Sequence, residues 1–295
     1  MAVNTIELHE VRHPDKAARE RYDDLVGIDA QKQAFIEFLV RVLAPDRITE
    51  WQKKHHNKGL PLTRRIENRP PLVILAGDAG CGKTALVASV GTPLSEALDR
   101  RLVALETPSD VRGGGLVGQL SERITATFNE ARTKVGRDAG ILIIDEGDDL
   151  GTSRSQMQAH HEDRAGVNVL IKEIDRLARE RCRLAVVLVT NRLLALDAAV
   201  VRRGHVIRFE RPNAAARRAL FEKMLVGVDH EAKDINALVH ASERTPPFSY
   251  SDLVERGAEA ALLAALRADE PFSVAALLAV VRHLEPSPMI EDGRP

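Results

Sequence analysis

Eight consecutive residues carry the clearest chemistry in this chain: Gly77, Asp78, Ala79, Gly80, Cys81, Gly82, Lys83 and Thr84 fit the pattern G-x-x-x-x-G-K-[ST]. Glycines let backbone N–H groups close around phosphate oxygens with no Cβ in the way. A helix starting at Lys83-Thr84-Ala85 would add the partial positive charge of its N-terminus. Lys83 is placed to reach the β- and γ-phosphates, and the Thr84 hydroxyl to ligate Mg²⁺. The plainer reading is a glycine-rich turn with a stray lysine. The apolar run Pro71–Ala76 directly before the loop reads as a buried strand and decides against that. The expected ligand is a nucleoside triphosphate with Mg²⁺.

Three further constellations fit the same chemistry. Ile141–Ile144 is an apolar run ending in Asp145 and Glu146, which delivers two carboxylates to the carboxyl edge of a sheet, where open α/β folds bind ligands. Asp145 would orient Mg²⁺ through water, and Glu146 would polarise the water attacking the γ-phosphorus. Alone, the pair reads as an ordinary acidic turn. Val187–Val189 leads into Thr190 and Asn191, whose amide could hold the attacking water or cap the next helix. Arg202 and Arg203 stand just before another strand. Adjacent arginines are usually solvated, but arginine supplied from a neighbouring subunit stabilises transition-state charge on a phosphoryl group.

The elements needed to position these residues are legible in the patterning. Five apolar runs, 72–76, 102–105, 141–144, 184–189 and 206–209, alternate with helical patterns, which implies a parallel sheet with helices on both faces. After Pro212 the strand pattern stops, and segments 215–226, 235–241, 251–266 and 272–284 read as four helices. The fold class is therefore α/β with a small all-α lid. The expected divisions are a loose arm over 1–20, a nucleotide-binding domain over 21–211, a lid over 212–285 and a tail over 286–295. Residues 45–70 read as a loop with one short helix.

Composition sets the limits. The chain has 295 residues, 44% hydrophobic and 29% charged, with a formal net charge of −1, so no global field favours nucleic acid or an anionic membrane. Aromatics make up 3%, which leaves no evident stacking platform for single strands. Cys81 and Cys182 are far apart and lack metal-ligand spacing, as suits a reducing cytosol. Loop amides could lower the Cys81 pKa and make it a redox switch, although a small space-filling role is the simpler expectation. No apolar run is long enough to span a membrane, and the charged first residues do not form a secretory signal.

With these motifs in hand, the chain resembles the AAA+ ATPases over roughly residues 20–285. Lys83 and Thr84 match that family's Walker A motif, Asp145 and Glu146 its Walker B motif, Asn191 its sensor 1, and Arg202 and Arg203 its arginine-finger region, with Arg203 the favoured finger. The segment Tyr22–Ile28, including Val26 and Gly27, resembles the part of the family that flanks the adenine. The segment Phe248–Leu253 resembles the start of the lid helix, with Ser251-Asp252 standing where many members carry a sensor 2 arginine. The resemblance implies ATP bound at the subunit interfaces of a homohexameric ring. Leu116, Val117 and Gly118 resemble the family's first pore loop, with leucine in place of the usual aromatic; a flexible surface loop is the rival reading. Segment 152–166, with Arg154, His160, His161 and Arg164, falls where a second pore loop would lie.

Within the family, Asp163–Asp175 and the stretch from Glu67-Asn68-Arg69 to the phosphate loop resemble the pachytene-checkpoint ATPases, which remodel HORMA-domain proteins. That resemblance implies a short bacterial form which disassembles HORMA–nucleotidyltransferase complexes in cyclic-nucleotide antiphage signalling. About 20 residues before the core are too few for an adaptor-binding domain. Two alternatives stay open: a general AAA unfoldase or disassembly motor, and a nucleic-acid loader, which the net charge disfavours.

Overall fold

The computed structural model describes residues 6–56, 58–108, 119–145 and 161–290. Glu146, the pore-loop candidates Leu116, Val117 and Gly118, and Arg154 and His160 lie outside them.

All five expected strands form, as β2 (Leu72–Gly77), β3 (Leu102–Glu106), β4 (Ala139–Ile144), β5 (Leu184–Thr190) and β6 (His205–Phe209). They run parallel, because each is joined to the next through helical crossovers. A further strand, β1 (His9–His13), pairs antiparallel with β3 and gives the order β1-β3-β4-β5-β2-β6. Both faces of the sheet are covered. Leu72, Ile74, Leu142, Ile144, Val186 and Leu188 face α7 (Gln119–Val135) and α8 (His161–Glu180) through Phe128, Leu170 and Ile174. The alternate residues Val73, Leu75, Ile141, Ile143 and Val187 face α2 (Asp29–Leu43), α5 (Lys83–Ser89) and α6 (Gly91–Leu98) through Phe35, Leu39, Leu86 and Leu94. Burial on both faces explains why these strands read as unbroken apolar runs and not as alternating patterns.

Two expectations are corrected here. Residues 6–20 are not a loose arm: Ile6 and Leu8 are buried, β1 occupies the sheet edge, and α1 (Lys16–Asp24) follows, capped by the Asp15 carboxylate on the Ala18 amide at 2.8 Å. Edge strands are often short and charged, which keeps them from pairing with other chains, and that same polarity hides β1 from a search for apolar runs. Residues 45–70 form two helices, α3 (Pro45–His55) and α4 (Pro61–Glu67), each opening on a proline at its first position. Proline there sacrifices an N–H that would be unpaired anyway.

A short helix, α9 (Ala198–Val201), precedes β6, and after Pro212 the lid is built from α10 (Ala214–Met224), α11 (Ala232–Ala241), α12 (Ala260–Ala268) and α13 (Val274–His283). A π-helical stretch, Asp252–Glu259, leads into α12. Phe221, Leu238, Phe248, Leu253, Leu277 and Val281 form a core of their own beneath these helices. Among the described residues no helix is long and apolar enough to cross a membrane.

Candidate nucleotide site

The loop after β2 turns into α5 through Gly82, whose φ of 90° sets the helix start. Gly77 lies so close to β6 that a Cβ would sit 2.0 Å from the Phe209 carbonyl oxygen. At Gly80, φ is +69° and a Cβ would meet the Ser249 and Ser251 hydroxyls at 2.9 Å each. The glycines therefore serve two ends: they free the loop's amides, and they let β6 and the lid approach the loop closely. Lys83 is 5% exposed and donates through Nζ to the Gly77 and Asp78 carbonyls at 2.8 Å each. This holds the ammonium under the loop, where phosphate oxygens can replace a carbonyl partner.

Thr84 Oγ1 donates to Asp145 Oδ2 at 3.2 Å, so the end of β4 meets the start of α5. A hydroxyl and a carboxylate beside a phosphate loop are the hard oxygen donors that Mg²⁺ takes, so the residues present fit that ion. Thr84 and Asp145 would hold it, and it would supply charge neutralisation to the phosphates. Asn191 is exposed at the end of β5, and β5 lies between β4 and β2, so the residue follows a strand flanked by the one that ends before Asp145 and the one that leads into the loop. Strand order alone converges residues separated by more than a hundred positions.

Cys81 is fully buried, and burial pushes its thiol up to about 11. The thiolate needed for redox switching is therefore disfavoured, and the side chain fills space. Val26 packs on the lid core, and the Gly27 carbonyl accepts a hydrogen bond from the Tyr250 hydroxyl at 3.0 Å. Burial raises the Tyr250 phenol to about 12, so it keeps the proton it donates. The Ser251 amide donates to the Gly80 carbonyl at 3.2 Å. The lid is thus seated directly on the phosphate loop.

The arginines lie elsewhere. In β6, His205 is level with Val73 and Phe209 with Gly77, so the strand's start is about 13 Å from the loop edge. Arg202 and Arg203 precede that start, at the amino-terminal end of the strands, whereas their own phosphate loop lies at the carboxyl end. Arg203 donates to both Asp175 carboxylate oxygens, at 3.0 and 3.1 Å, and to the Ala199 carbonyl at 3.1 Å. Arg202 is exposed and makes no side-chain hydrogen bond among the described residues. Together with Arg41 and Arg69 it lines a recess beside β6. Burial, then Arg41 and Arg69, push the His205 imidazole in that recess below its ordinary value.

Sequence reading did not single out Asp252 as an organising residue. Its side chain is 2% exposed, and it accepts from the Ser249 amide, the Ser287 amide and hydroxyl, and Arg256. Burial opposes its ionisation, but these donors outweigh burial and hold its carboxyl down to about 2. The folded value lies below the ordinary 3.8, so its contribution to stability is present above that value and is lost as pH falls through about 2. Asp252→Ala leaves several donors unpaired and is expected to cost on the order of 3 kcal/mol, read as a lowered Tm at neutral pH. Melting together with the wild type would refute this.

A phosphate loop on a parallel sheet, an acidic strand end beside it and a helical lid above it define a P-loop nucleoside triphosphatase. Residues 73–212 match the family described as "ATPase family associated with various cellular activities (AAA)". The chain is 36% identical to CD-NTase-associated protein 6 of Escherichia coli (strain MS 115-1), over 96% of this chain and 95% of that protein. A chain in the solved "Structure of E. coli MS115-1 HORMA:CdnC:Trip13 complex" superposes with a TM-score of 0.90 at 35% identity, covering 96% of this chain and 97% of that one. The solved "Structure of Rhizobiales Trip13" matches with a TM-score of 0.76 at 34% identity, covering 96% and 99%. The chain is an AAA ATPase and belongs, within that class, to the family of CD-NTase-associated protein 6.

Proposed function

We propose that this protein is an ATP-driven ring, a homohexamer of the bacterial cytoplasm, that engages a HORMA-like protein and disassembles its complex with a nucleotidyltransferase in antiphage signalling. The observation that carries this is the chain-long match, at a TM-score of 0.90, to a subunit solved together with a HORMA protein. The placement of the arginines supports the ring: they stand at the other end of the strands from their own phosphate loop, so they serve catalysis only when a neighbouring protomer brings its nucleotide to them. Of the two, Arg202 suits the finger, because Asp175 already occupies Arg203. Arg203 instead stiffens the turn on which Arg202 is displayed.

In this reading the loop residues Gly77–Thr84 bind and orient the triphosphate, Thr84 and Asp145 hold Mg²⁺, Asn191 positions the attacking water, and Glu146 takes its proton. Leu116, Val117 and Gly118 grip the partner polypeptide. Glu146→Gln keeps the side chain's size but removes its basicity. It is expected to bind ATP, lower turnover by roughly 10²-fold or more, and hold the HORMA partner without releasing it. Partner release at the wild-type rate, followed by size-exclusion chromatography of the HORMA complex, would overturn the mechanism.

A further inference from the structure

Asp78 introduces a difficulty at the site. A carboxylate one residue into a loop built to hold a polyanion opposes that anion, unless its charge is countered and directed away. Its side chain is 9% exposed, and the structure disposes of it completely. Oδ2 accepts from Arg211 at 2.6 Å. Oδ1 accepts from its neighbour's amide, Ala79, at 2.9 Å and from the Ile290 amide at 3.1 Å.

Arg211 is itself only 4% exposed. It stands between the end of β6 and the start of α10, at the joint between sheet and lid. Its remaining donors go to the Pro247 carbonyl of the lid at 2.6 Å and to the Ser287 and Pro288 carbonyls at 2.8 and 3.0 Å. The Ser287 amide and hydroxyl also donate to Asp252, at 3.2 and 2.9 Å. Residues 287–290, expected as a tail, are therefore pinned across the seam between lid and phosphate loop. Met289 is 52% exposed, so the segment is held by hydrogen bonds of its backbone and of the Ser287 hydroxyl and not by burial of this side chain.

We propose that Arg211 and the C-terminal segment Ser287–Ile290 form a strap that turns the Asp78 carboxylate off the triphosphate and ties the phosphate loop to the lid. This rests on the nucleotide-binding reading of the loop. Arg211 is a positioning residue, since it acts on phosphate only through Asp78. A guanidinium suits the task because it stays charged and its planar fork reaches several acceptors at once. Three segments distant in sequence meet at this one side chain: the loop, the sheet–lid joint and the C-terminal strap. Any rotation of the lid relative to the sheet must shift the carbonyls of Pro247, Ser287 and Pro288 around Arg211, and so changes how firmly Asp78 is held.

The test uses the full chain and a fluorescent ATP analogue, with KM and kcat measured in parallel. Arg211→Gln removes the counter-charge and is expected to raise KM for ATP about tenfold, the worth of one charge-assisted hydrogen bond. Adding Asp78→Asn removes the uncompensated charge and should bring KM back to within about threefold of wild type. A residue with a merely structural role predicts the reverse, a double variant at least as weak as the single. Ile290→Pro removes the amide donor to Asp78 while leaving the Asp78–Arg211 ion pair in place, and should raise KM about threefold at unchanged kcat and Tm. The strap is overturned by an Arg211→Gln KM equal to wild type, or by no recovery in the double variant. If Arg211→Gln does not fold, Ile290→Pro decides alone, and a wild-type KM overturns the strap. A wild-type chain that binds no nucleotide sinks the site itself; a wild-type chain that binds, with variants that match it, sinks only the strap.

Discussion

Arg202→Ala is expected to lower ATP turnover by about a thousandfold while nucleotide affinity and Tm stay near wild type, because an arginine supplied in trans is worth that much or more to phosphoryl transfer. Arg202 is exposed just before β6, at the opposite end of the strands from Gly77, and Arg41 and Arg69 flank it in one recess. Removing an exposed cation from among other cations costs the protomer little stability. Arg203→Ala is expected to behave differently. It strands the half-buried Asp175 carboxylate, so it should lower Tm as well as turnover. Steady-state phosphate release and thermal melting of the two variants check this. Wild-type turnover in Arg202→Ala would remove the finger from this residue, and with it the need for a neighbouring protomer at each site.

Lys83→Ala is expected to weaken ATP binding by roughly 10²-fold or more, since the ammonium's charge-assisted contacts to phosphate have no substitute in the loop. Lys83 holds the Gly77 and Asp78 carbonyls at 2.8 Å, so the loop's shape also loosens when it is cut. Equilibrium binding of a fluorescent ATP analogue measures the loss, and affinity within threefold of wild type would refute the loop's role. The two variants also test each other. Arg202→Ala keeps an intact nucleotide site, and Lys83→Ala keeps an intact finger. Mixed in one ring, a nucleotide on the first is completed by the arginine of the second, so the mixture should hydrolyse ATP where neither variant does alone. No recovery on mixing would leave the arginine without its trans role.

Much of this was legible in the chain. Leu72–Ala76 and Ile141–Ile144 announced buried parallel strands, because strands covered on both faces need apolar residues at every position. The glycine spacing of 77–82 and the Lys83-Thr84 pair announced the phosphate loop for the same local reason: backbone amides must be bare to reach phosphate. Strand β1 was not legible. Its HEVRH sequence is polar because it lies at an edge, and its partner β3 is about ninety residues away. Which of Arg202 and Arg203 is engaged within its own protomer was not legible either. It depends on Asp175, which the packing of α8 brings alongside.

By itself, then, the sequence determined features whose signal is local: strand runs, the loop that cradles phosphate, the acidic strand end and the switch from strands to helices at Pro212. The tertiary structure alone decided which of two adjacent arginines is free, what neutralises Asp78, and where residues 287–290 come to rest. The reason is physical. Periodicity and motif spacing record what neighbouring residues demand of the backbone, whereas an ion pair such as Asp78–Arg211 joins groups 133 positions apart, and no spacing rule encodes a contact that only the folded chain brings about.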